Sequence, residues 1–334
     1  MEFGKALREW YEASRRILPW REDPTPYHVY LSEIMLQQTR VEQARSYYLR
    51  FLDAYPTLSD LAKADLEAVY KLWEGLGYYS RAKNLHLAAK KAVEIYNGEL
   101  PKDKVGLLSL PGIGEYTASA VMAIAYGEKD IALDGNLIRV YARYAGLPLN
   151  PKDEKDKKQA KEGLMNLLDE DPSSFNQGLM DLGELVCLPN GTPLCGDCPF
   201  KESCKAHREG KEKDYPLKPE KKEKKTEKKT VLLIVKDGKV LLEKRGKGLL
   251  SGLYGLPMLE GHISASEIKS EREMQGYSIR NIVPLGKAKH VFTHRIWDMV
   301  GYRIEVEEAP SGIWATPEKV RDRYALPTAF SYFL

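Results

Sequence analysis

At 334 residues the chain is longer than one typical core, so two domains are expected, and its apolar (43%) and charged (30%) fractions are those of a folded protein rather than a disordered one. A net charge of only +3 excludes a globally basic footprint. No apolar run reaches the length of a membrane span, and the opening MEFGKALREWYEASRR lacks a signal-peptide core, so a cytosolic protein is expected.

Residues 2–16 place apolar and charged side chains at helical spacing and predict an amphipathic helix, broken by Leu18-Pro19-Trp20-Arg21 and the loop EDPTP. Tyr27 to Gln38, YHVYLSEIMLQQ, predicts the next helix, with Val29, Ile34, Met35 and Leu36 in its core. Glu33 falls inside this apolar segment. If buried, its carboxyl resists ionisation and its pKa rises, as a general acid near neutral pH requires. On a polar face it is an ordinary solvated glutamate, and this helix alone favours that reading. Further helices are expected over 40–54, after Thr57 and over 65–75. The loop Gly75-Leu76-Gly77-Tyr78-Tyr79 then precedes the basic start Ser80-Arg81-Ala82-Lys83. An exposed tyrosine there suits stacking on a nucleobase; a core tyrosine closing the loop is the alternative.

The stretch Leu107 to Asn136 is the organising segment. A short apolar helix stops at Pro111, the turn Pro111-Gly112-Ile113-Gly114 follows, and Glu115 opens a second helix of small residues. Two glycines permit positive φ and close approach of another group. A helix start behind such a turn presents free N–H groups to an anion such as phosphate. Asp134 stands just beyond the second helix, between Ile131-Ala132-Leu133 and Gly135-Asn136. It is a candidate carboxylate for chemistry, or simply a capping residue.

Leu137 to Gly146 continues as an arginine-rich helix, residues 150–163 read as lysine-rich and solvated, and Phe175 to Cys187, FNQGLMDLGELVC, as an amphipathic helix. All four cysteines follow within one loop, Cys187, Cys195, Cys198 and Cys204, with seven, two and five residues between them. This is metal spacing. Zinc and an iron–sulfur cluster both accept four thiolates, and the presence of a single CxxC leans toward iron–sulfur. Residues 211–229, containing KPEKKEKKTEKK, read as a charged linker. Beyond it TVLLIV, the turn KDG and KVLLEKR predict a β-hairpin. Short strands and a helix near 264–274 complete an α/β domain of ordinary size.

These words together resemble a known family. LPGIG followed by LDGN, with the four-cysteine loop, is similar to the helix-hairpin-helix DNA glycosylases. LPWR, LSEIMLQQT, GLGYYSRAKNLH, LDGN and FNQGLMDLG resemble, nearly word for word over residues 8–206, the adenine-DNA glycosylases of the MutY type. The C-terminal part resembles that family's Nudix-like recognition domain more loosely. The resemblance implies a mainly α fold, residues 1–210, made of a six-helix barrel module (24–132) and an iron–sulfur helical module (1–23 and 133–210). A linker (211–229) and an α/β Nudix-like domain (230–334) follow.

It further implies a monofunctional enzyme of base excision repair that removes adenine opposite 8-oxoguanine or guanine. Bifunctional relatives carry a nucleophilic lysine where Tyr116 stands here. Glu33 would protonate adenine at N7 and later activate water, Asp134 would stabilise the sugar cation, and Tyr116 and Asn136 would orient both. Gln38 and Tyr78 would wedge into the duplex beside Gln37, while Trp20, Arg21 and Gln177 would line the adenine pocket. Gly112 and Gly114 would hold a phosphate. Phe292, Thr293 and His294 would sense the opposed base, with Thr293 where the family usually has serine. Cys187, Cys195, Cys198 and Cys204 would hold a 4Fe–4S cluster, although the first cysteine gap is one residue longer than usual. The implied partner is double-stranded DNA bearing the mispair, bound by a monomer, in the cytoplasm or at the nucleoid of a prokaryote. The helix SASEIKSEREMQG lacks the REUxEExGU arrangement that holds magnesium in Nudix hydrolases, so nucleotide hydrolysis is not expected. Two alternatives remain: a mismatch thymine or uracil glycosylase of the same superfamily, and a non-catalytic lesion-binding protein.

Overall fold

The computed structural model describes residues 2–218 and 223–334; part of the expected linker, 219–222, lies outside them. In chain order the helices are α1 (Phe3–Ser14), α2 (Pro19–Glu22), α3 (Pro26–Leu36), α4 (Val41–Ala54), α5 (Leu58–Lys63), α6 (Leu66–Leu72), α7 (Ser80–Tyr96), α8 (Lys104–Ser109) and α9 (Glu115–Ala120). They continue with α10 (Gly135–Ala145), α11 (Glu154–Leu167), α12 (Pro172–Asp181) and α13 (Lys205–Arg208). The strands are β1 (Lys225–Lys236), β2 (Lys239–Lys244), β3 (Tyr254–Gly255), β4 (Met258–Glu260), β5 (Ser278–Val291), β6 (Arg295–Glu308) and β7 (Ile313–Ala315), with α14 (Ala265–Met274) and α15 (Pro317–Arg323) among them. No helix among the described residues is long and apolar enough to cross a membrane.

The chain divides into two compact units, residues 1–63 with 84–220 and residues 64–83 with 221–334. In the first, Phe3 and Leu7 of α1 pack with Leu137 and Val140 of α10, Leu164 of α11 and Phe175 and Leu179 of α12. Asn176 of α12 is fully buried. It accepts from the Ala132 N–H (2.8 Å) and donates to the Asp130 carbonyl (2.9 Å), pinning the segment that leads to Asp134. The lysine-rich stretch expected to be solvated is the helix α11 over most of its length. Ala160 and Leu164, spaced i,i+4, bury one stripe of it, and the surrounding charges diluted that signal.

The second unit is built on a mixed sheet in the order β3-β2-β1-β6-β5, with β1 and β6 parallel. Alternation along β1 sends Val231 and Leu233 to a core with Trp297, Met299 and Phe330, and Leu232 and Ile234 to a second core with Ile268 of α14. The expected β1–β2 hairpin forms on Asp237 (φ 48°) and Gly238 (φ 73°), both left-handed as a tight hairpin turn requires. Two expectations need correction. The linker does not run to residue 229: Lys225–Lys229 already pairs with Arg295–Met299, because the parallel ladder recruits the backbone whatever its side chains. The strands β5 and β6 are long rather than short. Segment 64–83 joins this unit through polar contacts: Glu67 Oε1 accepts from Lys244 Nζ (2.9 Å) and the Tyr254 hydroxyl (2.6 Å), and Glu74 accepts from the Leu326 N–H (2.8 Å).

Candidate active site

Thr25 caps α3 by accepting from the His28 N–H, and Pro26 opens the helix. Residues 29–35 of α3 are all buried, so the helix offers Glu33 no solvated face and leaves it 6% exposed. Burial pushes its carboxyl up to about 7, with the charge of Asp134 adding to the effect; a hydrogen bond with Tyr116 and the charge of Arg21 oppose it. The Tyr116 phenol is in turn held far above its ordinary range, chiefly by burial and then by Glu33 and Asp134. The solvated reading of Glu33 is therefore excluded.

Asp134 is the N-cap of α10. Its Oδ1 accepts from the Leu137 N–H (2.8 Å) and its Oδ2 from Asn136 Nδ2 (3.1 Å). Burial raises its pKa, against these hydrogen bonds and the charge of Arg139. The capping reading is thus correct, and it does not remove the carboxylate from the site. One cavity of about 380 Å³ is lined by Glu33, Tyr116, Asp134 and Asn136, together with Trp20, Arg21, Gln38 and Gln177. Eight residues proposed from five separate stretches of sequence meet around it. A proton-bearing carboxyl and a second carboxylate sharing one purine-sized chamber can protonate a leaving group and stabilise a cation.

Three residues in and behind this cavity escaped the sequence reading. Asp181, 1% exposed, takes a bidentate pair from Arg21 (2.7 and 3.0 Å) and an ion pair from Arg16, which also reaches Glu184 (2.7 Å). The signal was present: Asp181 follows Gln177 by one helical turn, on the same face of α12. A further connection links the site to the cysteine loop. Asn136 Oδ1 accepts from Arg139 Nη2 (2.9 Å), and Arg139 Nε donates to the Cys187 carbonyl (2.8 Å).

At the hairpin, Gly112 has φ 78°, and a Cβ there would fall 2.5 Å from the Cβ of Asn84. Gly114 does not take the expected positive φ; it is the extended N-cap of α9 (φ −100°), and a Cβ at this position would meet nothing within 4 Å. Its smallness leaves the helix start open to a ligand. Gln37 Nε2 lies 3.4 Å from Thr117 Oγ1. Gln38 (φ 57°) and, in the second unit, Tyr78 (φ 49°) are both held in the left-handed region that side chains avoid. Tyr78 is exposed, as the stacking reading requires, and its hydroxyl lies 2.6 Å from Thr293 Oγ1. Phe292 packs edge-on against Trp297 and His290, whereas Thr293 and His294 are exposed.

Cys187, Cys195, Cys198 and Cys204 line one small pocket of about 30 Å³, walled by Val140, Leu182 and Phe200. No disulfide joins them. Burial first, and the neighbouring cysteines after it, push the Cys198 thiol up to about 12, so four thiolates there need a cation to hold them. Arg143 donates to Cys187 Sγ (3.3 Å) and to the Leu188 carbonyl (2.8 Å). The donor set fits a metal centre. Among the described residues, the ligand atoms gathered within 4.8 Å of one another are those of Cys195, His207 and Glu212, and not those of the four cysteines.

Residues 31–167 match the HhH-GPD superfamily of base excision DNA repair proteins, and residues 230–334 match the NUDIX domain. Among solved structures, a thermostable thymine-DNA glycosylase superposes with a TM-score of 0.56 at 29% identity, covering 62% of this chain and 95% of that one. A trapped endonuclease III–DNA covalent intermediate gives 0.52 at 23% with the same coverage, which concerns the fold alone. The adenine DNA glycosylase of Rattus norvegicus is 41% identical over 62% of this chain and 42% of its own length, and that of Homo sapiens 40% over 62% and 39%. The chain thus spans about two fifths of these mammalian relatives. The adenine DNA glycosylase of Buchnera aphidicola (strain Bp) is 33% identical over 87% of this chain and 83% of its own. With the relationship extending across both units, the chain belongs to the adenine DNA glycosylase family.

Proposed function

We propose that this protein is a monofunctional DNA glycosylase that removes adenine mispaired with 8-oxoguanine or guanine in double-stranded DNA. The observation that carries the reading is Glu33, buried and sharing one cavity with Asp134, where burial raises its carboxyl pKa to about 7. Breaking the C1′–N9 bond sends the electron pair to the base and leaves a cationic sugar. Glu33 gives its proton to adenine N7, and Asp134 stabilises the sugar. Water then adds to C1′ and passes a proton to the Glu33 carboxylate. Tyr116, by hydrogen bonding to Glu33, and Asn136, on Asp134 Oδ2, keep the two acids oriented. The absence of an amine at Tyr116 leaves no nucleophile for strand cleavage.

The adenine has to leave the stack to reach this cavity. Gln38, next to Gln37, fills the gap left by the base, Tyr78 of the second unit stacks on a base by itself, Trp20, Arg21 and Gln177 receive the adenine, and the open start of α9 at Gly112 and Gly114 takes a phosphate. Phe292 supports the exposed Thr293 and His294, which read the opposed base. Cys187, Cys195, Cys198 and Cys204 hold a 4Fe–4S cluster, which braces the loop when bound. Four free thiols lining one small pocket, with a single CxxC among them, are a donor set that such a cluster accepts. In α14, Glu267 is spent in a capping box with Ser264, which supports recognition rather than hydrolysis in the C-terminal unit.

Four duplexes differing only at the opposed bases test the reading. Adenine release from A:8-oxoguanine and A:G, seen as alkali-labile sites, is expected. Faster action on T:G indicates a mismatch thymine glycosylase, and binding without release indicates a lesion binder.

A further inference from the structure

Asp134 and Tyr116 line a second cavity, of about 780 Å³, that contains none of Glu33, Trp20, Arg21 or Gln177. Asp134 and Tyr116 thus line both cavities, and the second reaches them from the side of α11. The second is bounded by Glu115 and Ser119 of α9, Ile138 of α10, and Glu162 and Asn166 of α11. It is a built feature: Lys161 of α11 pairs with Asp130 (2.7 Å), and Lys104 bridges Asp130 (2.7 Å) and Glu115 (2.8 Å), holding α11 to the segment before Asp134.

Resting on the glycosylase reading above, we propose that this second cavity is the passage through which water and other small neutral nucleophiles reach the sugar once DNA is bound. With a purine in the first cavity and its own strand across the entrance, the nucleophile needs another way in. The lining suits a neutral solute. Each lysine of α11 there is paired, Lys157 with Glu154 (2.7 Å), Lys158 with Glu162 (3.8 Å) and Lys161 with Asp130, so the wall holds no surplus charge for a phosphate. Its volume far exceeds the space one water takes in the liquid, about 30 Å³. Once the base has left with the Glu33 proton, the oxygen of the entering molecule bonds to the cationic C1′, and its own proton goes to the Glu33 carboxylate. Water yields the abasic hemiacetal and methanol the methyl glycoside, with the same balance.

Glu162 and Asn166 are exposed, lie outside the proposed catalytic set, and accept a bulky plug. Full-length Glu162→Trp and Asn166→Trp are compared with wild type in single-turnover reactions on A:8-oxoguanine DNA in water–methanol mixtures. Expected are unchanged circular dichroism and DNA affinity, with a several-fold fall in the methyl glycoside fraction, because the larger nucleophile is excluded first. An unchanged partition in both variants overturns the passage. Weakened DNA affinity with an unchanged partition shows a DNA groove instead and also overturns it. A wild-type protein that releases no adenine overturns the glycosylase reading itself.

Discussion

Glu33→Gln keeps the shape of the side chain and removes its ionisation. Moving a carboxyl from its ordinary 4.5 to about 7 by burial corresponds to on the order of 3 kcal/mol at about 1.4 kcal/mol per unit. The sign follows from proton binding. Between these two values the folded state holds the proton more firmly than the unfolded chain, so folding is favoured below the unfolded pKa and that contribution is lost as pH rises through about 7. At about pH 8.5 the wild type carries an ionised carboxylate in an apolar helix, and the variant does not. Urea unfolding at about pH 5 should give similar stabilities. At about pH 8.5 Glu33→Gln should be the more stable by on the order of 3 kcal/mol, while releasing no adenine at either pH. The wild-type rate of release should fall above pH 7, approaching tenfold per unit. A variant no more stable than wild type at the higher pH would refute the burial argument, and a rate flat through neutrality would refute the role of Glu33 as acid.

Tyr116→Phe removes the hydrogen bond that holds Glu33 down, so the falling limb of the pH–rate profile should move to higher pH. Gly112→Ala combines a left-handed φ with a Cβ 2.5 Å from Asn84 and should lower stability by roughly 1–3 kcal/mol in denaturant unfolding. Gly114→Ala meets nothing within 4 Å and should fold normally, yet bind DNA more weakly in a fluorescence-anisotropy titration. Arg143→Ala loses its bonds to Cys187 Sγ and the Leu188 carbonyl, and purified protein should carry less iron and less visible absorbance.

Local chemistry was legible wherever it repeats along the chain. The glycine hairpin, the cysteine loop and the Asp237-Gly238 turn each declare themselves within a few residues. What was not legible depends on partners far away. Nothing near Glu33 says that its whole helix is covered, because Tyr116 and Asp134 lie some hundred residues on. Arg21 was visible as a cation, but Asp181, which fixes its direction, stands 160 residues away. The start of β1 was masked by its lysines, since a parallel ladder recruits backbone and ignores composition. The bond of Tyr78 to Thr293 spans 215 residues and has no sequence signature.

Asp134 shows why the ordinary and the chemical readings of a residue need not compete. A carboxylate has two oxygens with several lone pairs between them, and capping α10 uses one direction of Oδ1 while Asn136 uses one of Oδ2. These bonds fix the side chain in a single rotamer against the cavity wall, which a catalytic carboxylate needs and a free one on a loop lacks. The same Asn136 receives Arg139, and Arg139 grips the Cys187 carbonyl. The geometry of Asp134, the acid proposed to act at the sugar, is therefore tied, through two side chains, to the fold of the cysteine loop. Loosening that loop should misplace Asp134 before it unfolds α10, so loss of the metal should lower the rate of base release more than it lowers helix content.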